Sequence, residues 1–198
     1  MSTRILWMKE SFYSELELCS LGLKSYGQDV KISRKVSFYA PEKIQIGNHV
    51  RIDDYCILSG NITLGNYIHI AVFCVLYGSD GIVVEDYSNI SARTTIYTAS
   101  DNYLGLGMIG PTIPEKYRLL DRGPVHLKRH TIIGSGSVVL PGVTFGEGVA
   151  VGALSLVTRD CGPWQVYGGI PARFITQRDR HVILRYQSEL EKQEEAVV

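Results

Sequence analysis

The sequence predicts an all-β chain wound as a parallel β-helix of about six coils, with a short helix before the coils and a longer one after them. Three observations predict it. First, an aliphatic or aromatic residue recurs at every sixth position: Ile46, Ile52, Leu58, Leu64, Ile70, Leu76 and Ile82 form one unbroken run, and Leu127, Ile133, Val139, Phe145, Val151 and Val157 form another. Ile32, Phe38 and Ile44, and later Val84, Ile90 and Ile96, keep the step with an offset of two. Second, the residue after an anchor is often small or polar, as at Gly47, Asp53, Gly65, Ala71, Gly134 and Gly152. Third, the residue four after it is mostly small or β-branched, as at Val50, Cys56, Ile68, Cys74, Thr131 and Ser155. A helix needs apolar recurrence every three to four residues and a strand every two. A period of six suits a coil of three short strands and three tight turns, in which residues eighteen apart stack at roughly 4.8 Å. Cys56 and Cys74 are then expected one above the other.

The elements follow in chain order. Residues 1–29 form a cap: Ser14-Glu15-Leu16-Glu17 reads as a capping box, Tyr13 and Leu18 as its hydrophobic staple and Gly22 as a stop, so a short helix runs from about Glu15 to Leu21. Residues 30–175 carry the coils. The two-residue offset after Ile82 reads as a bulge at Glu85 and Asp86. The period breaks over 97–126, thirty residues that are too many for a passive connection. Repeat proteins place such a protruding loop on one face, often the binding face. Residues 176–198 end the chain; 177–194 lack Gly and Pro, and Val182, Ile183, Tyr186 and Leu190 mark an apolar stripe for a terminal helix.

Composition narrows the function. With 20 basic and 20 acidic side chains among 198 residues the formal net charge is zero, which offers no field for a nucleic acid. The chain has no run of 18 apolar residues, and its first residues have no apolar leader core, so neither a membrane span nor export is expected and a cytoplasmic location is. The four cysteines lack ligand-like spacing and read as reduced, buried and inert.

Hexads of this form, together with WQVYGGIPAR from Trp164 to Arg173, resemble the hexapeptide-repeat acyltransferases, in the sugar acetyltransferase branch. The resemblance covers residues 30 to 175. It implies a left-handed β-helix, acetyl-CoA as co-substrate, and a homotrimer whose active sites lie between subunits, with the excursion reaching across. It also implies that Arg159 and Arg173 meet CoA phosphates and that Ser135, Ala153 and Pro171 line the pantetheine arm. Local cations such as these and Lys128 would supply the positive potential that the net charge does not.

Many O-acetyltransferases of the family carry a histidine just after a segment that aligns with Ile96 to Ala99. Here the stretch continues Ser100-Asp101, without one. His69, in GNYIHIA, resembles a histidine that related amino-sugar N-acetyltransferases place beside the acetyl group, and with Asp101 it is the candidate for taking the acceptor proton. Asn102, Tyr97 and Asp86 are candidates for the acceptor site. A hydroxyl attacking a thioester almost demands a base, whereas an amine is nucleophilic once deprotonated. The missing histidine therefore favours an amine, such as that of a dTDP-4-amino-4,6-dideoxyhexose in cell-surface glycan biosynthesis. O-acetylation of a sugar hydroxyl is the alternative. His126 and His130 invite a third reading, a zinc carbonic anhydrase of similar shape. Four residues of strand span roughly 13 Å, so these two cannot share an ion within one chain, and no metal is expected.

Overall fold

The computed structural model describes residues 11–195; the first ten residues, which carry the leader expectation, and the last three lie outside the described residues. The chain winds as a triangular prism of parallel strands. Its first face stacks Lys31, Arg51, His69, Asn89, Ile132, Ala150 and Val166 in register, which makes seven rungs where the hexads predict about six. The extra rung is Gln165–Gly168, which keeps the stacking without keeping the six-residue step. The second face stacks Ser37, Ile57, Val75, Thr95, Val138 and Leu156. The third stacks Ile46, Leu64, Val84, Leu127 and Phe145.

The hexad anchors fill the prism. Ile52, Leu58, Ile70, Leu76, Ile90, Ile96, Leu127, Ile133, Val139 and Phe145 are fully buried. Burying one such side chain stabilises the fold by roughly 1.5–3 kcal/mol. The position four after the anchor is buried too, and at Thr94, Thr131 and Ser155 the hydroxyl caps the turn behind it, while at Ser88 and Ser137 it donates to the next coil. Thr94 donates to the Ser91 carbonyl at 2.7 Å, Thr131 to Lys128 at 2.6 Å and Ser155 to Gly152 at 2.7 Å.

The two-residue offset does not lie at Glu85 and Asp86. Leu58 pairs with Leu76 but Ile62 with Ile82, so the extra residues sit before Ile82, in the Gly78–Gly81 corner. Gly81 adopts φ 104° there, a conformation open to glycine. Glu85 and Asp86 lie at the following corner, in register.

At the corner after the third face His49, Tyr67, Tyr87, His130 and Trp164 all take φ between 53° and 60°. Their rings form a ladder along the edge, with successive centroids 4.6, 5.1, 5.2 and 5.9 Å apart. The carboxy-terminal helix, His181–Glu195, lies over this ladder. His130 Nε2 and Gln187 Oε1 are 2.7 Å apart, Tyr87 Oη donates to Glu191 at 3.1 Å, and His49 Nε2 lies 3.6 Å from Glu194. The helix therefore turns Ile183, Gln187, Leu190 and Glu191 inward, while Val182 and Tyr186 of the expected stripe are exposed. The ring edges beneath carry N–H and O–H groups, which select a polar helix face.

At the other end the expected helix forms as Glu15–Leu18, followed by a tighter turn Cys19–Leu21 and Gly22 in the left-handed conformation. The capping box is present, and the Arg34 guanidinium together with Ser14 holds the Glu17 carboxyl down to about 2.

Cys56 and Cys74 stack in the core as expected, their thiols donating to the carbonyls of Ala71 at 3.0 Å and Ser91 at 3.2 Å. Cys161 is also buried, but Cys19 is exposed, its sulfur 2.8 Å from Tyr26 Oη at the end of the cap helix. Burial pushes the Cys161 thiol up to about 12, and the Cys74 thiol first and burial second push Cys56 up. The thiolate is the reactive form. Ellman's reagent at neutral pH is thus expected to label Cys19 in the native protein and all four cysteines after denaturation; rapid native labelling of a second thiol would contradict this packing.

Candidate active site

The excursion leaves the prism at the corner after the second face, and the structure narrows it to residues 98–124: Tyr97 ends a second-face strand and Val125 begins a third-face one. Ala99–Asp101 and Leu120–Arg122 pair antiparallel to form the stem of an arm. Its base is closed by the Gly123 amide donating to the Thr98 carbonyl at 3.0 Å and by Arg122, which clasps Asp80 at 2.9 Å. Asp80 belongs to the inserted corner, so the two-residue insertion anchors the arm.

Two clefts flank the arm, and Tyr97 lines both. One, of about 1140 Å³, is bounded by Lys24, Lys43, Asn61, Ser79 and Tyr77, whose ring stacks on Tyr97 at 5.5 Å. The other, of about 550 Å³, runs from Asp101 and Arg118 down to the apolar Val138, Leu140, Pro141 and Leu156. The Asp101 carboxylate accepts from the Gly110 amide at 3.1 Å and from Arg118 at 3.2 Å. Asn102 turns inward: its Oδ1 accepts from the Leu104 amide at 3.0 Å and its Nδ2 donates to Asp121 at 3.4 Å, so its side chain shapes the arm. At the tip Tyr103 and Leu104 are 92% and 82% exposed.

His69 lies on the first face, on a different side of the prism from Asp101. Its Nε2 meets Asp53 Oδ2 at 2.8 Å and its Nδ1 meets Asn89 Oδ1 at 3.0 Å. Asn89 Nδ2 in turn donates to Ser91 Oγ at 3.2 Å, and Arg51 Nε donates to Asp53 Oδ1 at 2.7 Å. Asp53, Asn89 and Ser91 are absent from the sequence-derived candidates. The signal for Asn89 is the stacked column that precedes the anchors, which is polar at Lys31, Arg51, His69 and Asn89 and apolar at Ile132, Ala150 and Val166, while Asp53 and Ser91 are polar residues directly after the anchors Ile52 and Ile90. Ser135 and Ala153 lie farther along the same corner, exposed and joined by the Leu154 amide donating to the Ser135 carbonyl at 2.8 Å. Arg159 and Arg173 share a small cavity of about 150 Å³ with Tyr167 and Phe174. Arg173 donates to the Ala172 carbonyl at 2.9 Å, and Pro171 is exposed in the turn before it.

Asp86 is far from this group in the topology. It accepts from the Asn66 amide at 2.7 Å at the corner under the carboxy-terminal helix, which gives it a turn-capping contact. Glu85 binds His126 at 2.6 Å on the third face, while His130 belongs to the ring ladder, so these histidines point to different partners.

A prism of parallel coils with a side arm, flanking clefts and an exposed basic terminal turn defines a hexapeptide-repeat acyltransferase. A dTDP-4-amino-4,6-dideoxy-D-glucose acyltransferase of Escherichia coli is 44% identical over 176 residues, 87% of this chain and 92% of that protein. AntD, an N-acyltransferase from Bacillus cereus solved with dTDP and 3-hydroxybutyryl-CoA, superposes with a TM-score of 0.91 at 47% identity, over 93% of this chain and 99% of AntD. AntD has also been solved with dTDP-4-amino-4,6-dideoxyglucose and coenzyme A, in forms where a serine, or in dTDP and coenzyme A complexes an aspartate ten positions after it, is replaced. A hexapeptide-repeat acetyltransferase of Vibrio cholerae, 22% identical with a TM-score of 0.54, shares the fold. No protein-family model matches the sequence. The chain belongs to the family of dTDP-4-amino-4,6-dideoxyglucose acyltransferases, and its co-substrate is an acyl-CoA.

Arg118 is the side chain that donates to the Asp101 carboxylate, and hydrogen bonds to charged groups contribute roughly 1.5–3 kcal/mol. Arg118→Ala is expected to lower acyl transfer about tenfold or more and the circular dichroism melt by about 3–10 °C, with Arg118→Lys recovering part of both losses; undiminished turnover in Arg118→Ala would separate Asp101 from the chemistry.

Proposed function

We propose that this protein transfers an acyl group from acyl-CoA to the amine of a dTDP-4-amino-4,6-dideoxyhexose. The observation that carries the proposal is the full-length likeness to AntD, a protein solved with that kind of amino sugar and with coenzyme A. The residues agree with it. In this chain a single serine, Ser91, has an aspartate ten positions after it, and that aspartate is Asp101. Ser91 ends the hydrogen-bonded chain from Asp53, and Asp101 heads the cleft that leads to apolar residues.

In the proposed reaction the free amine attacks the thioester carbonyl carbon, the tetrahedral intermediate collapses, the amide forms and CoA leaves as thiolate. Asp101 takes the amine proton and Ser91 holds the amine. His69 has both ring nitrogens engaged by Asp53 and Asn89, so it acts through them. The polar upper part of the first corner suits a sugar nucleotide. The Ser135–Ala153 turn and the Arg159–Arg173 cavity suit the pantetheine arm and the phosphates of CoA.

Ser91 and Asp101 stand at opposite ends of the second face, so one chain does not supply both to one amine. A closed three-fold ring does, with the arm of one subunit laid over the first corner of the next. The exposed Tyr103, Leu104, Leu106 and Ile109 at the arm tip support such a contact. Among the described residues no helix is long and apolar enough to cross a membrane. We place the enzyme in the cytoplasm and its product in the supply of cell-surface glycans, including lipopolysaccharide.

Purified protein is to be incubated with acetyl-CoA or 3-hydroxybutyryl-CoA and with matched 4-amino and 4-hydroxy dTDP-sugars, with thiol release as the readout. Turnover is expected with the amino sugar only, and Asp101→Asn is expected to lower kcat by about 10²–10⁴. Turnover of the hydroxy sugar alone would establish O-acylation instead.

A further inference from the structure

With Asp53 ionised, the chain Asp53, His69, Asn89 and Ser91 can be hydrogen-bonded in two ways. A carboxylate accepts and does not donate, so the Nε2 that faces Asp53 carries a hydrogen in both. If His69 is neutral, its Nδ1 is a bare acceptor. Asn89 must then turn its amide N–H toward His69 and its carbonyl toward Ser91, which donates its hydroxyl hydrogen back and leaves the lone pairs of Oγ facing outward. If His69 is protonated, Nδ1 also donates. The Asn89 carbonyl then faces His69, its N–H faces Ser91, and the Ser91 hydroxyl hydrogen is free to point outward. The two arrangements differ by a half-turn of one amide, whose oxygen and nitrogen occupy equivalent places.

We infer that His69 is a positioning residue that sets the polarity of Ser91 through the Asn89 amide, and that Asp53 fixes the hydrogen on the other ring nitrogen. The inference rests on the reading of Ser91 as the residue that meets the acceptor amine. An amine about to attack needs its lone pair aimed at the thioester and a hydrogen held by an acceptor. Ser91 turns both Oγ lone pairs toward that hydrogen only while His69 is neutral. With His69 protonated, Asn89 takes one lone pair and the freed Ser91 hydrogen competes for the amine lone pair. The charged groups facing the imidazole are Asp53 and, behind it, Arg51 on the preceding rung; Asn89 and Ser91 on the following rung are uncharged.

The test is the pH dependence of kcat across about pH 5–8, the range in which histidine titrates, for the wild type, Asp53→Asn, His69→Gln and Ser91→Ala. The ammonium of the substrate contributes one proton to the acid limb in every variant. The wild type is expected to lose activity with two protons at the acid end and His69→Gln with one. Asp53→Asn, which no longer obliges Nε2 to carry a hydrogen, is expected to lower kcat across the range while keeping both breaks. Asn in place of Asp conserves shape, and a melting curve for each variant separates these effects from unfolding. An acid limb that is the same in the wild type, Asp53→Asn and His69→Gln while Ser91→Ala is impaired overturns the relay and leaves the role of Ser91 standing. Full activity in Ser91→Ala overturns both.

Discussion

Every coil must offer its amides to the carbonyls of the next coil at matching heights, and the rest of the structure depends on that constraint. A rung cannot absorb an extra residue within a strand without losing its neighbours on both sides. Extra residues must leave at a corner, and in this protein they all leave at the same one, after the second face. The first coil puts the turn Pro41–Lys43 there, the third puts Gly78–Gly81 there, and the fourth puts the whole arm there. The candidate site lies where the repeat has slack. The inserted corner carries Asp80, and Asp80 fixes the stem of the arm through Arg122.

The corners carry a second cost. A side-chain-bearing residue in the left-handed region is disfavoured by roughly 1–2 kcal/mol, and the corner after the third face repeats that conformation at His49, Tyr67, Tyr87 and His130 on consecutive rungs and, after Gly148, at Trp164. What offsets it is the regularity itself. Identical backbone angles at identical heights set rings parallel, and stacked aromatic pairs contribute about 0.5–1.5 kcal/mol beyond their burial. The ladder also presents a line of ring N–H and O–H groups that the carboxy-terminal helix reads with Gln187, Glu191 and Glu194. On the opposite edge the same stacking brings together Asp53, His69, Asn89 and Ser91, residues that are 16 and 20 positions apart around the histidine.

The repeat, both terminal helices and the excursion were legible because buried anchors impose a period that sequence displays directly. The seventh rung was not, since Val166 keeps the register of Ala150 after only sixteen residues. The place of the two-residue insertion was misread because anchors record where strands resume and say nothing about which turn before them holds the slack. For the site, Tyr97 and Asp101 were accessible as the residues that open the aperiodic stretch. Arg118 was not, because it reaches Asp101 by the arm folding back on itself, which follows no period. Asp53 and Asn89 required reading down the stack at one height instead of along the chain. The polar face of the last helix escaped a hydrophobic count because its partner is a row of polar ring edges.

A solenoid of parallel strands has two open ends, each a template onto which another chain could add coils without limit. Here both ends change direction. At the far end Arg173–Gln177 runs antiparallel to Gln165–Gly168, with a register shift between Val166 and Tyr167. At the near end Phe12 bridges Ser33 in antiparallel sense, and the cap helix follows. On the first face an incoming coil would meet a strand of the wrong polarity at either terminus, so that face of the stack of rungs is guarded against growing into a fibre.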